Sequence, residues 1–112
     1  MAIAAPKVLF GPVQVGATDG TLYTSAGNTF TTVTRCVFTN TDTATQTITV
    51  NVVRSGGSVA TSNQVIAAMA LASGQAYVSP ELAGLILAAG DFISAKASTG
   101  AKINAVGSGY TS

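Results

Sequence analysis

Gln46-Thr47-Ile48-Thr49-Val50-Asn51-Val52-Val53-Arg54 is the stretch whose reading decides the fold. Ile48, Val50 and Val52 fall on one face of an extended chain, and Thr47, Thr49 and Asn51 on the other. Period-two alternation of this kind marks a half-buried strand. Upstream, Phe30–Thr39 is rich in Thr, Val and Phe. Cys36 and Phe38 share one side of it, and Val33 and Val37 share the other with Arg35. Cys36 and Phe38 are therefore assigned to the core. Between the two strands, Asn40–Thr45 carries Asn and Asp, which bond to nearby backbone and favour turns. The spacing predicts a hairpin joining antiparallel partners. Ser55-Gly56-Gly57-Ser58 supplies the next turn.

Working outward, Lys7–Val15 is interrupted by Gly11-Pro12, so it reads as an edge strand or two short pieces. Thr21–Ser25 follows the Asp19-Gly20 turn as a short strand. Asp91–Ala97 and Ile103–Tyr110 read as two more, after turns at Gly90-Asp91 and Thr99-Gly100. Asn63–Ser73 fits two patterns. Val65, Ile66, Met69 and Leu71 line a helix ending at Gly74, while Val65, Met69 and Leu71 also alternate as a strand would. Ser79-Pro80-Glu81 reads as one helical turn, with Ser79 as cap, Pro80 first inside and Gly84 closing it. About seven or eight short antiparallel strands at even spacing predict one all-β domain over residues 1–112, a β-sandwich or jelly roll. Residues 1–6 are expected to form a flexible or partner-contacting N-terminal arm.

Charge is the unusual feature. Only 8% of the 112 residues are ionic, against roughly 25% in an average soluble domain. Thr, Ser, Asn, Gln and Gly must supply the polar surface, and they do not repel a neighbouring copy. The formal net charge of +1 gives almost no colloidal repulsion either, so the composition suits a subunit packed beside others. Thr45–Val53 and Ala60–Pro80 contain no charged residue. Neutral β-prone segments on a free edge invite uncontrolled pairing, and burial between subunits is the expected remedy.

Several functions are disfavoured. Lys7, Arg35, Arg54, Lys96 and Lys102 are scattered, which is not how phosphates are neutralised, so no nucleic-acid partner is expected. No apolar run approaches the ~20 residues of a membrane span. Met1–Pro6 is too short for a signal-peptide core, which places synthesis and retention in a cytoplasm. The chain has no histidine, hence no usual general base or zinc ligand. Cys36 is the lone thiol, without a disulfide partner, and reads as a small buried hydrophobe. Asp19, Asp42 and Asp91 sit in turn sequences where backbone capping is their ordinary work; with Glu81 they are the only carboxylates. No catalytic residue, cofactor or metal site is expected. Tyr23, Tyr77 and Tyr110 are the interface candidates, with interface packing preferred over ligand stacking.

Phe38-Thr39-Asn40-Thr41 followed by Thr47–Val53, and Leu87–Ala95 followed by a closing strand ending in Ser108-Gly109, resemble a pattern in small structural proteins of tailed-bacteriophage virions. The resemblance spans residues 30–110. It implies a compact β domain acting as a capsid decoration (cement) protein, made in the host cytoplasm and residing in the virion. It further implies a homotrimer contacting other virion proteins such as the major capsid protein, with no enzymatic activity. The alternatives are a tail or neck component, or a carbohydrate-binding adhesive β-sandwich.

Overall fold

The computed structural model describes residues 6–111. Within them the chain forms β1 (Lys7–Val15), β2 (Gly20–Thr24), β3 (Thr31–Asn40), β4 (Gln46–Val53), β5 (Gln64–Leu71), β6 (Ala76–Val78), β7 (Leu85–Leu87), β8 (Phe92–Ala97) and β9 (Ile103–Thr111). A single turn of 3-10 helix, Thr61–Asn63, precedes β5. Of the expected N-terminal arm only Pro6 is described, and it is exposed; the rest lies outside the described residues.

Two sheets pack face to face. The first runs β1-β9-β3-β6, with β7 also paired to β3; the second runs β2-β8-β4-β5. Every pairing is antiparallel. The pairings nest: β1 with β9, β2 with β8, β3 with β6 and β7, β4 with β5. They trace one long hairpin whose two arms run side by side and wrap between the sheets. That is the jelly-roll form of the β-sandwich, and it decides between the two architectures the sequence left open. β6 and β7 are pieces of one interrupted strand along β3, with the ladder carried across the break by Ser79 N donating to Cys36 O and Gly84 N to Val33 O (2.9 and 2.6 Å).

The nesting corrects the hairpin expected at Asn40–Thr45. β3 and β4 lie in different sheets, so this loop is a crossover. Asn40 anchors it: its Nδ2 donates to Ala44 O and Leu71 O, both at 2.9 Å, and its Oδ1 accepts from Asp42 N. The turn chemistry was legible; the strand it turned toward was not.

The core forms where inner faces meet. Phe38, Ile48, Val50, Leu71, Leu82, Leu87, Ile93 and Ile103 are fully buried, each large apolar side chain stabilising the fold by roughly 1.5–3 kcal/mol. Cys36 and Phe38 point inward as expected, but so does Val33. Between Val33 and Arg35 the β3·β9 register slips by one residue, and the extra residue of a β-bulge reverses which face follows. Gly107 on β9 is needed for the same core: a Cβ there would collide with the Phe10 ring.

Asn63–Ser73 resolves as a strand, and again a bulge resets the pattern. The β4·β5 register slips on both sides of Val50. Ala68 adopts φ +46°, and its N–H donates to Thr49 Oγ1 at 3.0 Å. Ile66 and Leu71 face the core, while Val65 turns outward. No helix forms at Ser79–Gly84, although Ser79 Oγ accepts from Leu82 N at 3.2 Å as a cap would, and Gly84 closes the turn at φ +81°.

One part of the case for burial between subunits fails. Thr45–Val53 is not an edge: β4 is paired on both sides, by β8 and β5. Its outer face is buried too, since Thr49, Asn51 and Val53 are almost inaccessible. The chain's own 54–63 segment supplies the cover. Asn51 Nδ2 donates to Ala60 O and Asn63 Oδ1 (2.8 and 2.7 Å), and Gly57 sits against Val53. The neutral stretch Ala60–Pro80, by contrast, holds the edge strands β5 and β6. Bulging of one and shortness of the other blunt these edges in place of charge.

Candidate interaction surface

The three tyrosines do not converge. Tyr23, on β2, packs against the core with its hydroxyl 3.3 Å from Thr31 Oγ1. Tyr77 is paired with inward-facing Phe38 and packs at the core margin. Its hydroxyl donates to the Glu81 carboxylate at 2.7 and 2.8 Å. Tyr110 lies on the opposite face of that sheet, paired with Thr32, and is exposed. Only Tyr110 presents its ring outward.

The polar clusters are internally satisfied except at Asn51, whose buried Oδ1 accepts no hydrogen bond. Ser79 Oγ also donates to Glu81 (2.9 Å). Desolvation pushes Glu81 up, but the hydrogen bonds from Tyr77 and Ser79 outweigh it and hold the carboxylate below its ordinary range. The same bond raises the Tyr77 phenol. Asp42 caps the crossover: the Thr43 N–H lowers it first, helped by Gln46. Asp91 accepts from Arg54 Nη1 and Ser55 N at 2.8 Å and from Ala88 N at 2.9 Å. Desolvation raises it, and those three donors together hold it low. Cys36 is pushed up to about 12 by burial, which leaves no thiolate to react near neutral pH. Among the described residues, no three His, Cys, Asp or Glu side chains gather as metal ligands do, and no pocket opens. These groups hold loops together.

What remains open is a sheet face. Cross-strand partners share a face, so the register maps the outer side of the first sheet. Val106 on β9 is opposite Val37 on β3, which is opposite Val78 on β6. One row along lie Val8, Ser108 and Arg35, and beyond them Tyr110, Thr32 and Ile86. On the other side Asn104, Thr39 and Ala76 complete the patch. Val37, in the middle of the patch, is half-buried, while exposure of the large apolar side chains around it runs from 36% at Val106 and Tyr110 to 64% at Val8. Arg35 is its only ionic residue.

No family model, curated protein or solved structure matches this chain.

The functional reading therefore rests on surfaces. Of the three tyrosines singled out in the sequence, Tyr110 alone belongs to the exposed patch, whose other large members include Val8, Val78, Ile86 and Val106. A signal was present in β9, where Ile103, Ala105, Gly107 and Gly109 alternate inward and leave Val106 and Tyr110 facing out. Val37, on the side of β3 away from Cys36, was the second.

Proposed function

We propose that this chain is a structural subunit of a tailed-phage virion, a capsid decoration protein that works by covering and being covered by neighbours and carries out no catalysis. The observation that carries the reading is the bare apolar outer face of the β1-β9-β3-β6/β7 sheet on a domain with so little charge. Contiguous exposed apolar patches larger than a few hundred Å2 mark interaction sites. The jelly-roll form supports it by analogy, because that fold recurs in viral capsid and lectin domains. Carbohydrate recognition by a tyrosine platform gains no support from the placement of Tyr23, Tyr77 and Tyr110.

Decoration would act through burial of apolar area against neighbouring subunits, copies of this chain included, multiplied by repetition over the lattice. The test uses particles of the phage that encodes the chain. The protein is expected to remain with purified capsids through a density gradient, and capsids lacking it are expected to melt at lower temperature. Particles that neither contain the protein nor change in melting when it is deleted would sink the proposal.

A further inference from the structure

The two sheets are treated differently by the chain. On the β2-β8-β4-β5 sheet, residues 54–63 cover the outer face of β4, with Val53 sealed beside Gly57 and Asn51 tied to Ala60 and Asn63. The outer face of the β1-β9-β3-β6/β7 sheet receives no such cover from the described residues, although it is the more apolar one. β-branched side chains in ordered rows form the same kind of surface that the inner faces use to pack on each other.

We propose that this face seats a second copy of the chain, sheet against sheet, about a twofold axis running along the Val106–Val37–Val78 row. The inference rests on the assembly reading and names its partner. It sets a twofold pair where the phage resemblance implies a threefold one.

Size, charge and geometry favour a copy of this chain. Four strands ~4.8 Å apart and about eight residues at ~3.4 Å each give a footprint of roughly 500 Å2. Two such faces reach the ~1,000 Å2 total at which a specific interface becomes credible. A net charge of +1 repels a copy very little. An axis along the valine row sets each Arg35 opposite Thr39 and Asn104 of the other copy, so the guanidiniums do not meet and find oxygen acceptors instead. Sheets packed this way lie ~10 Å apart with strands inclined by about 30°. The edges contribute little, because β1 and β5 are irregular in register and β2, β6 and β7 are short.

Sedimentation velocity of the full chain between about 1 and 200 µM tests this. The wild type is expected to shift from monomer to dimer across a micromolar range. Val106→Lys and Ile86→Lys, at positions already open to solvent, are expected to weaken the dimer by ~30-fold or more while circular dichroism stays native. Val65→Lys, on the outward edge of β5, is expected to change it less than about twofold. A wild type that stays monomeric at 200 µM, a trimer, a dimer that survives both face substitutions, or one broken by Val65→Lys would overturn the inference. Capsid co-sedimentation of the wild type is scored separately, so loss of the twofold contact and loss of the decoration role are distinguishable.

Discussion

Asp91→Asn removes a charge without removing volume, at a point where the structure leaves little room for an amide. The carboxylate is almost fully buried. Oδ1 accepts from Ser55 N, and Oδ2 accepts from both Arg54 Nη1 and Ala88 N. An amide can keep the first bond only by aiming its NH2 at the other two donors. One neutral hydrogen bond is lost, worth ~1 kcal/mol, and one charge-assisted bond, worth ~1.5–3 in a buried setting. The second figure must be discounted, because Arg54 is largely exposed and exposed ion pairs contribute ~0–1 kcal/mol. We expect a loss of about 2 kcal/mol at neutral pH, and a melting temperature lower by about 8–16 °C for a domain near 100 residues. Arg54→Ala removes only the discounted part and should cost less than ~1 kcal/mol.

The pH dependence follows from the sign. Asp91 is held below its ordinary value in the folded state, so its stabilisation is fully present above the unfolded pKa of ~3.9 and fades as pH falls through the folded one. The gap between wild type and Asp91→Asn should therefore close below about pH 4. Urea unfolding followed by circular dichroism reads both effects as a shift in midpoint at constant slope. A gap under ~0.5 kcal/mol at pH 7, or one that persists undiminished into strong acid, would refute the reasoning.

Two further outcomes are expected. Leu82→Ala empties a fully buried site in the turn that interrupts the β6–β7 strand and should destabilise by ~2–5 kcal/mol, measured by the same urea titration. Cys36 should resist a soluble thiol reagent at pH 8 in the native protein and react promptly once urea unfolds it, since burial holds the thiol near 12.

The sequence revealed the elements better than their neighbours. Ile48, Val50 and Val52 alternated clearly, and the structure buries them as read. What alternation does not encode is whether the other face is wet. Thr49 and Asn51 looked solvent-facing because they are polar, yet a later segment folds over them and pairs with Asn51. Bulges were invisible for a related reason. The extra residue in β3 reverses facing after Val33, and the irregularities in β5 reset the phase between Ile66 and Met69, so a fixed period misplaces one end of each strand. Asn40–Thr45 announced a turn through local side-chain bonding, but whether the chain then pairs with its predecessor or crosses to the other sheet is set by distant partners. The exposed face was hardest to see. Val37, Val78 and Val106 are far apart in sequence, and only strand register sets them in one row.

The nested pairing also orders the events of folding. β4 and β5 are close along the chain, whereas β1 waits for β9 and β2 waits for β8. Contacts of such long separation are slow to form because loop closure must precede their reward, and domains dominated by them fold over milliseconds to seconds. Until β8 and β9 arrive, Phe10, Val15 and the inner side of β3 stand open to water. The early strands thus spend the longest time unsheltered, and a quality-control chaperone would meet them first.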